Sequence, residues 1–375
     1  MSRRRWAALA AVSLVVLVLV ATAAAGWHFS SAVLVPDHSP WEPETSVEAL
    51  APGRVVLERS EETERPGVYG LQWQGGRAIA GAIVAEGEDT VTRRLRAVDG
   101  YLAPGMKVAI DPDVFAGDPT AAFGLPSRRV QIPGDELGPM PAWLVPAAGG
   151  EVWAIVVHGI NSTPETGLRI VPTLHRSGLP TLLIDYREDL GAPPSPDGLH
   201  HMGQTEWNDL AAAVDYALDH DATRVVLIGY SMGGAIVTQF MEHSRRIHRV
   251  AGIVLDAPVL DWKQALSYNA SQMGFPGFAA LPVEWAIGAR IDADWDSLDA
   301  VQHLEYFEPF PILLFHGGED DVVPISGSED FADALPKQVT FFRVPAAGHT
   351  ESWNVNPALY DARLRKFVSG LEGVY

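Results

Sequence analysis

Six apolar runs of four to six residues recur after residue 150, separated by stretches of helical character. They are Val152–Val157, Thr181–Ile184, Arg224–Ile228, Val250–Leu255, Pro311–Phe315 and Val339–Val344. Continuous apolar strands, without the alternation of a one-sided sheet, belong where both faces are buried. The intervening helices supply that cover, and Glu206–His220 reads as one of them. The pattern specifies an α/β fold: a mostly parallel, twisted sheet with helices on both faces.

The third run leads into Gly229-Tyr230-Ser231-Met232-Gly233, and Ala235–His243 then reads as a helix. A serine hydroxyl becomes a useful nucleophile only beside a base, and it must stand clear of the sheet. A sharp strand-to-helix turn achieves this, and Gly229 and Gly233 let the turn close without steric clash. Ser231 is therefore the candidate nucleophile. The fifth run leads into His316-Gly317-Gly318-Glu319-Asp320-Asp321, where a carboxylate can orient an imidazole. Asp320 is taken first, Asp321 second and Glu319 third; the sequence itself does not separate the two aspartates. The last run is followed by Gly348-His349, which places the candidate base. An oxyanion needs backbone donors. Met232 offers one N–H, and Ile160, in the loop His158-Gly159-Ile160-Asn161 after the first run, offers the other. Gly159 permits close backbone approach, and His158 reads as an organiser of that loop. His316 reads as structural. His200-His201 lacks further ligands at metal spacing and reads as a loop pair, so neither a metal nor an organic cofactor is expected.

Together these residues resemble the α/β-hydrolase superfamily. The resemblance runs from about residue 128 to the C-terminus. It rests on the His158-Gly159 loop, Asp185-Tyr186-Arg187, the Ser231 turn, the segment His316 to Pro324, and Gly348-His349. It implies the triad Ser231, Asp320 and His349. Within the superfamily the chain is similar to lid-bearing hydrolases of the monoacylglycerol-lipase and serine-aminopeptidase-like branch, including uncharacterised membrane-anchored actinobacterial members. Two departures stand out: the region before residue 126 has no counterpart in the minimal fold, and Ile160-Asn161 replaces the glycine run used by many lipases and esterases.

The domain plan follows. Residues 1–27 form a transmembrane anchor or signal segment. Arg3, Arg4 and Arg5 precede an uncharged run from Trp6 to Trp27, which as a helix would reach roughly 33 Å. Ala23-Ala24-Ala25 offers a signal cleavage site, whereas the length and the terminal tryptophans suit a retained anchor. Either way the arginines stay inside and the body lies outside the cytoplasm. Residues 28–53, with Pro36, Pro40, Pro43 and Pro52, read as a linker. Residues 54–127 read as a small β-rich domain, a recognition module or a spacer, with turns at Gly75-Gly76, Asp99-Gly100 and Pro104-Gly105. Residues 128–375 form the catalytic domain. Within it residues 259–309 exceed an ordinary connection. Trp262, Tyr268, Met273, Phe275, Phe278, Trp285 and Trp295 make them read as a lid lining an apolar pocket, or a packed helical excursion.

The chain of 375 residues carries a net charge of −20, which disfavours nucleic acid as a partner. The basic clusters Arg93, Arg94, Arg96 and Arg245, Arg246, Arg249 read as solvated faces. With no cysteine, disulfides and thiolate chemistry are excluded. The expected activity is serine hydrolysis of a carboxylic ester or related acyl bond in a small-molecule or lipid-like substrate, through an acyl-enzyme. Alternatives are an extracytoplasmic acyltransferase, a serine aminopeptidase that binds the substrate amine through Glu206 or Asp209, or an inactive membrane-anchored binding protein.

Overall fold

The structure is a computed structural model, and it describes residues 3–39, 42–134 and 137–371. Pro40, one of the linker prolines, lies outside these residues. A helix, Arg3–Leu34, opens the chain. A closed six-stranded barrel follows, built from β1 (Thr45–Ala51), β2 (Arg54–Glu58), β3 (Tyr69–Trp73), β4 (Gly76–Glu86), β5 (Thr90–Asp99) and β6 (Lys107–Asp111), in the order β1-β2-β5-β4-β3-β6. Val47, Val55, Leu57, Leu71, Trp73 and Val108 fill its interior.

The eight-stranded sheet comprises β7 (Arg128–Ile132), β8 (Met140–Val145), β9 (Val152–Val157), β10 (Thr181–Ile184), β11 (Arg224–Tyr230), β12 (Val250–Asp256), β13 (Ile312–Gly317) and β14 (Val339–Val344). Its order is β14-β13-β12-β11-β9-β10-β8-β7. The strands from β14 to β10 run parallel, and β8 and β7 extend the sheet antiparallel. Every residue of β9, β10 and β12 is buried, as an uninterrupted apolar run requires. The helices Trp207–Leu218 and Met232–His243 cover one face through Leu210, Val214, Ile236 and Phe240. Val171–Arg176 and Pro357–Ser369 cover the other through Leu174, Leu364 and Val368. Because β9, β11, β12, β13 and β14 point the same way, the loops after their C-terminal ends gather at one edge, the usual place for a site in such a sheet.

Three expectations need correction. Residues 28–53 are not simply a linker: 28–34 complete the N-terminal helix, and 45–51 are the first barrel strand, so the β-rich unit begins at 45 rather than 54. The helix runs on because its last turns are docked. Gly26, Ser30 and Leu34 are buried against the helix Leu281–Ile291 and its surroundings, and Arg290 donates to the Ser30 and Ser31 hydroxyls and stacks over Trp27. Arg93 is not on a solvated face. It is wholly buried at the barrel edge, where its guanidinium donates to the carbonyls of Gly81, Thr63, Arg65 and Gly67. The aromatic residues of 259–309 do not together line a closed pocket. Trp262 is buried, but Met273, Phe275, Phe278 and Trp285 are 55 to 73% exposed.

Candidate active site

At the C-terminal edge of β11 the chain turns into the helix Met232–His243 within one residue. Ser231 occupies that corner with φ 51° and ψ −118°, a conformation held only by its surroundings. A Cβ on Gly229 would run into the Gly233 carbonyl, and one on Gly233 into the carbonyls of Val157 and His158. That crowding is why the turn takes glycine on either side of the serine. The Ser231 N–H is fixed by the Asp256 carbonyl at the end of β12.

The structure brings Ser231, His349 and Asp320 into one hydrogen-bonded line. Ser231 Oγ lies 2.8 Å from His349 Nε2, and His349 Nδ1 lies 2.9 Å from Asp320 Oδ2. A carboxylate only accepts, so Nδ1 carries the proton and Nε2 is left to accept from the serine hydroxyl. Asp320 Oδ1 accepts from the amides of Val322 and Val323, and His316 Nε2 lies 3.2 Å from Oδ2. Burial works against ionisation of Asp320. The charge of His349 and the hydrogen bonds of His316 and His349 outweigh it and hold the carboxyl well below the usual carboxylate range. Asp320 is thus the partner of the histidine. His316, wholly buried between the Ser328 hydroxyl and the Val323 carbonyl, supports that partner. Tyr268, from the helix Trp262–Gln272 of the inserted segment, donates to the Asp320 carbonyl at 2.8 Å, so this segment touches the acid's loop directly.

The loop after β9 meets the nucleophile from the other side. A Cβ on Gly159 would sit 3.0 Å from Ser231 Cβ and 3.6 Å from Oγ, so only glycine fits without a shift. Ile160 follows at the turn, and Met232 opens its helix, where first-turn N–H groups lack intrahelical acceptors. His158 is buried: Nδ1 faces the Gly159 carbonyl at 2.8 Å, Nε2 faces Asp189 Oδ2 at 3.0 Å, and the ring stacks on Tyr186. Burial alone would favour the neutral ring, but the Asp189 carboxylate outweighs it and raises the basicity of His158. An imidazole with acceptors at both nitrogens fixes a loop and has no lone pair to offer a substrate. Tyr186 OH also donates to the Gly159 carbonyl at 2.7 Å. His158, Asp185 and Asp189 hold ligand-type atoms within 4.8 Å of one another. Both His158 nitrogens are already engaged, Asp189 Oδ2 also accepts from the Tyr186 amide, and Asp185 Oδ2 pairs with Arg129 at 3.3 Å.

Comparison with known proteins gives the fold its wider setting. Residues 195–367 match the prolyl oligopeptidase family, and residues 46–111 match the domain of unknown function DUF8805. An esterase of Pyrococcus furiosus superposes with a TM-score of 0.54 at 18% identity, covering 66% of this chain and 92% of that one. The chain shares the α/β-hydrolase fold. Among curated proteins it is similar to the uncharacterised protein YfhR of Salmonella typhimurium, 29% identical over 294 residues, which are 72% of this chain and 90% of that protein. An uncharacterised protein of Mycobacterium tuberculosis is 26% identical over 252 residues, 66% of this chain and 79% of that protein.

In this fold, the two acidic residues considered as amine binders are already committed. Glu206 is buried and accepts from the amides of His201 and Gly203, and Asp209 is held by the Arg187 guanidinium. His200 and His201 point to different partners, Asn161 and Asp197. Sequence reasoning missed the support around the histidine. Glu351, Arg65 and Tyr69 lie beside the His349 loop, and two of these come from the barrel, where no motif marks them.

Proposed function

We infer that the protein is a serine hydrolase that cleaves an acyl bond through a Ser231, His349, Asp320 triad. The observation that carries this reading is the hydrogen-bonded line from the strained Ser231 hydroxyl to a buried carboxylate through His349. In the mechanism, His349 Nε2 takes the Ser231 proton as Oγ attacks the carbonyl carbon. The amides of Met232 and Ile160 hold the oxyanion, and Asp320 stabilises the imidazolium that forms. His349 then protonates the leaving group, and water repeats the sequence on the acyl-enzyme.

A carboxylic ester is the preferred substrate class. The exposed apolar residues of the inserted segment beside the acid loop favour a lipid-like acyl group. Amide cleavage is the second reading, favoured by the match to the prolyl oligopeptidase family. For an aminopeptidase, Glu206 and Asp209 are poor amine binders because of their internal partners. The N-terminal helix is apolar and exposed over Leu9–Val20, consistent with a single-pass anchor carrying the body outside the cytoplasm, or with a signal segment. A panel of p-nitrophenyl esters and aminoacyl anilides, assayed with the full chain and with Ser231→Ala, tests the reading. The expected result is ester turnover that falls by on the order of 10³-fold or more in the variant. Equal turnover by the two proteins would sink it.

A further inference from the structure

The barrel reaches the catalytic domain at one place with unusual consequences: the loop that carries His349. Glu351, two residues beyond the histidine, is 1% exposed. Its Oε2 accepts from the N–H of Gly348, the residue just before His349, and from Tyr69 OH at 3.1 Å. Its Oε1 takes Arg65 Nη1 at 2.8 Å. Both outside donors belong to the barrel: Tyr69 opens β3, and Arg65 lies in the segment leading to it. Burial, and then the Glu351 charge, push the Tyr69 phenol far up, so it remains a donor at any working pH. The segment carrying Arg65 is itself fixed, because buried Arg93 grips the carbonyls of Thr63, Arg65 and Gly67. A second set of bonds flanks the first. Val68 N–H donates to the Asn354 carbonyl, and Asn354 Nδ2 donates to the carbonyls of Val68 and Pro112. Arg169 holds the Thr350 carbonyl and Asn354 Oδ1. Thr350, between the histidine and Glu351, has φ 55°, so this turn needs outside support to keep its shape.

A buried carboxylate is costly unless paired, and among the described residues the catalytic domain supplies Glu351 with only a backbone amide. The barrel provides the cation and the hydroxyl that make it tenable. We propose that the barrel is a positioning clamp for the catalytic histidine, acting through Arg65 and Tyr69 on Glu351, which holds the N–H of Gly348, the residue before His349. This assigns a role to the 46–111 domain, and it rests on the triad reading above. Glu351 is a positioning residue: its carboxylate is bonded to Gly348, Arg65 and Tyr69, and it is His349 that bonds the serine hydroxyl.

The test uses the full chain with p-nitrophenyl acetate as probe. Arg65→Met and Tyr69→Phe should lower kcat roughly ten- to a hundredfold with KM little changed, because a small displacement of the base slows chemistry more than binding. Arg65→Lys should recover most of the loss. Val55→Ala, which loosens the barrel interior away from the clamp, should lower the melting temperature and leave kcat as it was. Wild-type kcat in folded Arg65→Met and Tyr69→Phe would overturn the clamp while leaving the triad standing. Equal losses of kcat in Val55→Ala would also overturn it, by reducing the barrel to general stability. Tyr69→Phe removes a single oxygen, so it keeps the test decisive if Arg65→Met fails to fold. Should Ser231→Ala keep full activity, the triad reading itself falls, whatever the barrel variants do.

Discussion

Asp320 shows how one residue can be both half legible and half hidden. Its place after the fifth apolar run nominates three neighbouring carboxylates, Asp320 first, Asp321 second and Glu319 third, and the sequence itself does not separate the two aspartates. The structure separates them by direction: Asp320 is buried with Oδ2 on His349, while its Oδ1 is taken up by the amides of Val322 and Val323. Asp320→Asn is expected to keep the fold and lower kcat roughly 10³- to 10⁴-fold, since an amide does not enforce the Nδ1–H tautomer. Asp321→Asn should stay near wild type, and steady-state rates of the two variants decide the assignment. Asp185 carries a separate prediction. Burial first, and the Asp189 charge next, push its carboxyl from 3.8 up to about 6. A raised carboxyl binds its proton more tightly when folded, so its contribution is greatest below about pH 4 and is lost as pH rises through about 6. Asp185→Asn should flatten that part of the stability profile. Melting temperatures at pH 4 and pH 7 read this out, and an unchanged slope would refute it.

At the scale of elements, the six apolar runs all became strands: the first five lie within the sheet, almost wholly buried, where hydrophobic pattern and environment agree, and the sixth, Val339–Val344, is a half-buried edge strand. The antiparallel strands β7 and β8 were not legible: β8 reads Met140-Pro141-Ala142-Trp143-Leu144-Val145, and a proline usually argues against a strand. The end of the N-terminal helix was hidden for another reason. Residues 28–34 look like lead-in because their partner, Leu281–Ile291, is over 240 residues away in sequence. The helices meet so closely at Gly26 that any Cβ would collide with the Pro282 carbonyl. Gly26→Val should therefore destabilise the body by about 1–3 kcal/mol through overpacking. Arg290→Ala, which removes two hydrogen bonds and the stacking on Trp27, should do so by a similar amount. Thermal unfolding in detergent measures both. No change in either variant would mean that this docking is incidental.

For the whole molecule, the helix that carries the exposed segment Leu9–Val20 docks through its last turns, at Gly26 and Ser30, on the helix Leu281–Ile291, which itself carries the exposed Leu281 and Trp285 and follows the exposed Phe275 and Phe278. An anchor seated there would hold these side chains near the bilayer surface, where Trp and Phe are favourably placed. The chain has no cysteine, so Phe278→Cys gives a unique labelling site. An environment-sensitive dye at that position should shift to the blue in full chain reconstituted in phosphatidylcholine vesicles and resist quenching by aqueous iodide. Free quenching would place this face in water. This orientation was only partly legible, since the sequence shows an apolar N-terminus and an aromatic insertion but not that they adjoin. The central claim concerns chemistry, and labelling of the full chain with a fluorophosphonate, with the adduct located by peptide mass, tests it most directly. The prediction is a single adduct on Ser231, abolished in His349→Ala. A folded protein that stays unlabelled in detergent and in lipid, or an adduct elsewhere, would contradict it.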